Sequence, residues 1–498
     1  MNIKGLPPYR SFKGYSYVFV LLLIAVLLIR FPFFFRDYID RDESTFILMG
    51  QSIVDGYLPY IKLWDLKPPL LFYFFAGIIF LFGKSFLAIR FIGCVLISIS
   101  AFVVYKMLKE ISSKKIALLG GVLFIITASL FGNIQGVMSE HISIFFFIPA
   151  LFILWKNHTN YVSLFFVGLL LGCSMMTKLN MAYPALLLGI FLCINKLYHE
   201  NIVKAFLSGF FLLFGTLLTI TITAIPYLLT SNFNVWWNSV ILAPIAYNPA
   251  SSLITKLVLS FFVVCAIGVA YILYKKYNHH IKKIQRLYVL IVLSLIGVLI
   301  SFIDAGKVNG HYLIQVFPFL IVCLMIWLYN TRFKNYISLK LITILLIITP
   351  MESYVEYGTL ANRLVQGKTL YNEEGFEIPE YFTKTHVNPN NILFVDYHIG
   401  YWLMNENIPS KAMTHPSNLY REALFPYMGI HSSSSEEEIF RIFNIVKPEY
   451  IVGPDPDYLF SKKEKDYPLE SSIFDRLLIS KYRLQKTIGN AGIYKRKI

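Results

Sequence analysis

The sequence predicts a polytopic α-helical membrane protein, with about eleven transmembrane helices and a small C-terminal α/β domain. Three observations predict it. Of 498 residues, 56% are hydrophobic and only 15% charged, with a mean hydropathy of +0.59. A soluble domain carries about 25% charge, so an ordinary cytosolic enzyme is excluded. Apolar runs recur along the first two thirds of the chain, many near the roughly 20 residues needed to cross a hydrocarbon core of about 30 Å. From about Glu352 onward the composition becomes that of a soluble domain. The formal net charge of +16 would point to nucleic acid in a soluble protein. Here the basic residues sit between apolar runs and report topology instead, and no nucleic-acid partner is expected.

The N-terminus places Lys4, Arg10 and Lys13 before an apolar run over 15–35. That run ends in Phe31-Pro32-Phe33-Phe34-Phe35, without the small residues of a cleavage site, and reads as a retained anchor. Further spans are expected near 86–108, 116–136, 141–155, 161–177, 179–195, 205–229, 253–274, 287–303, 312–330 and 337–351. Each must be helical, because lipid offers no partner to an open backbone. Residues 68–83 are apolar but shorter. If they do not cross, one face of the membrane receives Lys106, Lys109, Lys114, Lys115, Lys156, Lys196 and Lys204 together with the N-terminal cluster. The same face then receives the lysines and arginines of 275–286 and 332–340. If they crossed, every later loop would flip and this bias would break. Residues 68–83 therefore read as lying flat on the outer surface. The N-terminus is then cytoplasmic, the C-terminal domain extracytoplasmic, and the cytoplasmic (inner) membrane the expected location. Cys94, Cys173, Cys193, Cys265 and Cys323 all fall in apolar runs without metal-ligand spacing and read as small core residues.

The expected organisation is a transmembrane catalytic domain over 1–351, with a first outer loop at 36–85, and a soluble α/β domain over 352–498. In the latter, Asn391–Asp396, Glu449–Gly453, Tyr482–Lys486 and Gly492–Lys495 read as strands. Ser432–Val446 reads as a helix, with serines at its start and glutamates in its first turn.

The acids of the membrane part are Asp37, Asp40, Asp42, Glu43, Asp55, Asp65, Glu110, Glu140, Glu200 and Asp304. In this topology only Glu110 and Glu200 face the cytoplasm. Acids contribute little to insertion, so the sorting suggests a polar site at the outer face. The first outer loop carries Asp42-Glu43 and then Trp64-Asp65-Leu66-Lys67-Pro68-Pro69. Paired carboxylates can act as a base or hold a divalent metal, and a lysine can hold phosphate. The plain alternative is a solvated loop with ordinary charges. Asp37, Asp40, Asp55 and Asp65 read as loop solvation or local caps, and Trp236-Trp237 as an interfacial anchor or a sugar platform.

The run RDESTFILMGQSIVDGYLPYIKLWDLKPPLLFYFFAGIIFLFGKSFLAIR, Arg41 to Arg90, resembles the first outer loop of the protein O-mannosyltransferase superfamily. It is most similar to the branch containing the lipid A aminoarabinose transferases. The similarity continues in Met138-Ser139-Glu140, in GLLLGCSMMTK ending at Lys178, and in AGKVNGHYLIQVFP from Ala305 to Pro318. The resemblance implies a GT-C fold and transfer of a sugar from a polyprenyl-phosphate donor. It implies that Asp42 is the catalytic acid-base residue, Glu43 its companion, and Lys67 a lysine that meets the donor phosphate. Arg90, Lys178, Lys307, His311 and Tyr312 match donor phosphate-binding positions, and Glu140 a supporting acid. Glu140-His141 departs from the acid-proline pair of the family. The C-terminal domain shows no motif of this kind.

These roles make chemical sense together. A prenyl phosphate leaves as a stable anion and needs cations more than a proton. The acceptor hydroxyl needs a base, which Asp42 can supply. The expected reaction is a single displacement with inversion. No His/Cys constellation demands a cofactor, while a divalent metal beside Asp42 and Glu43 stays open. The expected partners are a polyprenyl-phosphate-linked sugar, a lipid, glycan or protein acceptor, and membrane lipid. A transporter or flippase of lipid-linked sugars is the alternative. Against it, transporters bind near the midplane and often show two related halves, whereas here charges gather at one face and no internal symmetry is apparent. A membrane-anchored binding protein is the third reading, and intact Asp42, Glu43 and Lys67 argue against it. Which sugar and which acceptor are used is not written in these residues.

Overall fold

The computed structural model describes residues 9–37, 40–130, 134–247, 282–306, 308–385, 391–455 and 468–497, with isolated positions between 253 and 264. Most of the expected span at 253–274, with Cys265 in it, lies outside the described residues, as does Lys307. Among the described residues six helical stretches are long and apolar enough to cross a membrane: Tyr15–Phe35, Phe86–Lys109, Ser139–Asn157, Leu179–His199, Ile202–Leu229 and Ile284–Ala305. Shorter apolar helices cover Pro69–Phe82, Tyr161–Thr177, Phe317–Tyr329 and Leu339–Ile348. The chain is a multi-pass helical membrane protein with a small C-terminal sheet. The helix at Pro69–Phe82 has 14 residues, about 21 Å of rise, short of a bilayer core of about 30 Å.

The chain divides into two compact units that do not follow chain order. The first gathers Met1–Phe34, Arg90–Thr221 and Pro249–Thr359; the second gathers Phe35–Ile89, Ile222–Asn248 and Leu360–Ile498. The division by contact thus groups the segment 35–89 with the C-terminal sheet.

In the first unit, hydrophobic attraction is absent between helices that already lie in lipid, so close packing must hold them. Gly168 shows how: a Cβ there would lie 2.1 Å from the Leu212 carbonyl oxygen, so only glycine lets the helices at Tyr161–Met175 and Ile202–Leu229 approach this closely. Arg30, 1% exposed, folds the segment ahead of Glu140. Its guanidinium donates to the carbonyls of Ala128 (3.3 Å), Ile134 (2.9 Å), Gln135 and Gly136 (2.8 Å). Three of these carbonyls, at Ile134, Gln135 and Gly136, lie outside regular helix, and the guanidinium gives each a donor.

In the second unit, Asp40 caps the helix Arg41–Val54 by accepting from the Asp42 N–H at 2.9 Å. Pro69 opens the helix Pro69–Phe82, where a missing N–H costs nothing. The two helices pack through Phe46 against Phe75 (ring centroids 5.8 Å) and Phe72 (6.5 Å). The sheet has the order β1-β2-β4-β3, with β1 Ile392–Phe394, β2 Tyr450–Pro454, β3 Tyr482–Ile488 and β4 Ala491–Arg496. β1 and β2 run parallel (Leu393 opposite Ile451), whereas β2–β4 and β3–β4 are antiparallel. All four strands fall on the segments expected from sequence. The expected helix over 432–446 is α-helical at Ser435–Arg441, capped by Ser434, and ends as a π-turn at Ile442–Val446. Ile439, Ile442, Phe443, Phe474 and Leu478 bury the face of the sheet that carries Leu393 and Ile451. The parallel β1–β2 pair needs a long crossover, and that crossover, from Val395 to Glu449, carries the residues that reach Arg41, Asp42 and Trp64.

Candidate active site

Within the second unit, the helix Arg41–Val54 presents Asp42 and Glu43 in its first turn, where the helix dipole favours acids. Gly50 sets its seat. A Cβ there would lie 2.8 Å from Phe75 Cβ and 2.9 Å from the Ala76 nitrogen, so the neighbouring helix sits directly against this backbone. The other side is locked by the crossover. Arg41 pairs with Asp396, which is fully buried, at 2.8 Å. His398 Nε2 donates to the Arg41 carbonyl at 3.0 Å, and Thr45 Oγ1 donates to the same oxygen at 3.0 Å. Burial pushes the His398 imidazole well below its usual range, with His415 and Arg41 adding to it, so the ring is neutral.

Asp42 lies between two donors. Lys67 Nζ is 3.3 Å from its Oδ2, and His415 Nε2 is 3.2 Å from its Oδ1. Lys67 is itself placed by its loop: its N–H donates to Asp65 Oδ2 at 3.3 Å, and its carbonyl accepts from Tyr60 Oη at 2.7 Å. Tyr60 holds a left-handed φ of 70°, which bulky residues adopt only when their surroundings enforce it. The Asp42 side chain is 16% exposed, enough to meet a hydroxyl. Glu43, by contrast, is fully buried on the same helix.

The local-cap reading of the other acids holds for Asp40, Asp55 and Asp65: Asp55 accepts from Gln51 Nε2 at 2.9 Å. Asp37 is 5% exposed and accepts from the Gly375 N–H at 2.8 Å. Burial, with Glu373 and Glu374 adding to it, pushes its carboxyl up to about 8. Trp236 is 4% exposed and stacks on Phe233 at 5.8 Å, while Trp237 is 43% exposed.

Within the first unit, a second cluster forms around Glu140, at the start of the helix Ser139–Asn157 and fully buried. Lys178 pairs with its Oε1, Ser139 Oγ donates to its Oε2 at 3.0 Å, and His311 Nε2 lies 3.8 Å from Oε1. Lys178 Nζ also sits 4.1 Å from the centroid of the Tyr312 ring. Residues from three separate stretches of sequence thus meet here. His141 does not add a charge. It accepts from the Met138 N–H at Nδ1 (3.2 Å) and faces the Ala128 carbonyl with Nε2 (2.8 Å), which fixes a neutral ring protonated at Nε2. Arg90, 1% exposed, donates to the Phe33 carbonyl at 2.6 Å and so braces the turn after the first span.

The expected site residues therefore fall into two contact groups, Asp42 with Lys67 and Glu140 with Lys178, His311 and Tyr312. Missing from the expectation was His415. Its only sequence signal is the turn chemistry of His415-Pro416-Ser417. Among the described residues, no group of three or more His, Cys, Asp or Glu side chains converges as a metal site.

The comparisons with known proteins bear on the fold. Residues 66–229 match the family model of the dolichyl-phosphate-mannose-protein mannosyltransferases. None of the curated proteins matches the chain in sequence. A crystal structure of ArnT from Cupriavidus metallidurans bound to undecaprenyl phosphate superposes with a TM-score of 0.58, at 12% identity over 97% of this chain and 98% of that one. The same protein in its apo state gives 0.59 at 11% identity, with the same coverage. The oligosaccharyltransferase AglB from Archaeoglobus fulgidus is more distant, with a TM-score of 0.47 and 11% identity over 98% of this chain and 75% of its own. The chain is thus a multi-pass membrane protein with the fold of these ArnT structures, the GT-C fold, and its residues 66–229 match the family model of the dolichyl-phosphate-mannose-protein mannosyltransferases.

Proposed function

We propose that the chain is a membrane glycosyltransferase that moves a sugar from a polyprenyl-phosphate donor to an acceptor hydroxyl. The reaction is placed at the outer face of the cytoplasmic membrane, with the N-terminus inside and the sheet domain outside. The observation that carries this reading is the Asp42 carboxylate, held between Lys67 and His415 at a helix start and still open to a hydroxyl. In the proposed step the acceptor oxygen attacks the anomeric carbon, its proton passes to Asp42, and the bond from that carbon to the phosphate oxygen breaks. The electron pair leaves on the prenyl phosphate. One displacement inverts the anomeric centre.

The leaving phosphate calls for fixed positive charge. Lys178, held by Glu140 and stacked on Tyr312, has the build for it, with His311 beside it. Lys67 stands next to the base and can also meet a phosphate oxygen. Arg90 and Lys307 keep donor-binding roles by resemblance, Glu43 that of companion to Asp42. A hexose or a pentose fits this chemistry, and the acceptor is a lipid, an envelope glycan or a protein. No step here is routed through a metal. The relation to the mannosyltransferases and the ArnT fold supports the donor class, because that ArnT structure holds undecaprenyl phosphate.

The test is genetic and chemical. Mass spectrometry of envelope glycolipids and glycoproteins from cells lacking the gene should show the loss of one sugar modification. Re-expression of the wild type should restore it, and an equally expressed Asp42→Asn variant should not. Restoration by that variant removes Asp42 from the mechanism.

A further inference from the structure

We infer that the C-terminal domain completes the base, with His415 as the positioning residue that orients the Asp42 carboxylate. This rests on the reading of Asp42 as base. The argument starts from the proton on the imidazole. The backbone N–H of Ser417 donates to His415 Nδ1 at 3.2 Å, and Ser417 Oγ lies 2.7 Å from the same atom. An amide N–H can only donate, so Nδ1 carries a lone pair and the proton of the neutral ring sits on Nε2. That nitrogen faces Asp42 Oδ1 at 3.2 Å. His415 therefore gives a hydrogen bond to Asp42 and is not itself the base. Lys67 Nζ lies 3.3 Å from the other oxygen, Oδ2, so a donor meets each carboxylate oxygen.

The ring is fixed from the C-terminal side. His415 caps the turn Pro416–Tyr420, where Asn418 and Leu419 are fully buried. The preceding residue is tied to both elements of the loop site: the Thr414 carbonyl accepts from Thr45 Oγ1 at 3.3 Å, and Thr414 Oγ1 accepts from the Trp64 N–H at 3.3 Å. The charged and titratable groups around the pair include Lys67 and Asp65 on their loop, Asp40 and Arg41 at the start of the Asp42 helix, and Asp396 and His398 on the crossover, the last with its ring 6.4 Å from that of His415. His398 is neutral and Arg41 is matched by Asp396, while Lys67 and His415 each reach an oxygen of the carboxylate. A base held in one orientation raises the rate of the chemical step without adding to donor affinity.

The test uses the full-length protein in lipid, with a polyprenyl-phosphate-sugar fraction as donor and an envelope fraction from a strain lacking the gene as acceptor. Release of prenyl phosphate is read. His415→Phe keeps a ring but loses the donor; kcat should fall by about 10- to 100-fold, the range for a hydrogen bond to a charged group. The apparent KM for donor should be unchanged. His415→Gln places an amide N–H near the position of Nε2 and should recover most of the rate. Ser417→Ala should lower kcat a few-fold with the same KM. Unchanged kcat in His415→Phe overturns the inference, as does a His415→Gln variant impaired equally. If His415→Phe does not fold, the Gln and Ser417 variants decide by the same split. Asp42→Asn is run alongside: if it still transfers, the base reading fails; if it is silent while His415→Phe is normal, only the role of His415 fails.

Discussion

The buried pair of Glu140 and Lys178 makes a prediction in which stability and activity separate. Glu140 is fully buried and the Lys178 side chain is 9% exposed. Lys178→Met keeps the length of the side chain and removes its charge, leaving a buried carboxylate without its cation, beside Ser139 Oγ at 3.0 Å and His311 at 3.8 Å. Breaking a buried pair from one side costs about 3–5 kcal/mol. The contact with Tyr312 at 4.1 Å adds about 0.5–2 kcal/mol more. Glu140→Leu in the same background removes the stranded charge. The double variant should therefore stand within about 2 kcal/mol of wild type, because an apolar replacement of a whole buried pair is often neutral. Equilibrium unfolding of the purified protein by detergent titration ranks the three. Prenyl-phosphate release should stay lost in both variants, because the proposed phosphate donor is gone. A Lys178→Met protein as stable as wild type, or a double variant no better than the single, refutes the reasoning.

Three further outcomes follow from the second unit. Arg41→Met strands the buried Asp396 and should cost toward the lower end of about 3–5 kcal/mol, since Arg41 is partly exposed; Asp396→Asn leaves an arginine that can reach water and should cost less. The same unfolding assay checks the order. Gly50→Ala drives a methyl group into the backbone at Ala76 and should destabilise by about 1–3 kcal/mol, with sugar transfer falling as Asp42 shifts. Asp37 has a folded value raised to about 8 from 3.8, so its protonated form is the one the fold favours. Its contribution is fully present below about 4 and is lost as pH rises through about 8. Amide exchange in the helix Glu374–Lys384 should therefore speed up relative to Asp37→Asn across that window, and an unchanged ratio contradicts the assignment.

Much of the architecture was legible because its signals are local. The alternating or apolar runs at 391–396, 449–453, 482–486 and 492–495 all became strands, and Ser434 caps the helix that the serines announced. Two site contacts were also within reach. Lys67 follows Asp42 within the same segment 36–85, and Glu140, Lys178, His311 and Tyr312 are each marked by the resemblance. What stayed hidden depends on the crossover. His415 reaches Asp42, and Asp396 reaches Arg41, across more than 350 positions of sequence. No periodicity or spacing encodes such a contact; only the packing of the crossover against the segment 36–85 creates it. The same packing explains why a division by composition near Glu352 differs from the division by contact, which assigns 35–89 and 360–498 to one unit.

The most direct test of the central claim is a single-turnover transfer with the purified protein in lipid and its own polyprenyl-phosphate sugar, comparing wild type with Asp42→Asn and reading the anomeric configuration of the product by NMR. Wild type should release one prenyl phosphate per sugar transferred, with the configuration opposite to that of the donor, and Asp42→Asn should release none. Retained configuration, or transfer by the Asn variant at the wild-type rate, would contradict a one-step displacement driven by that carboxylate.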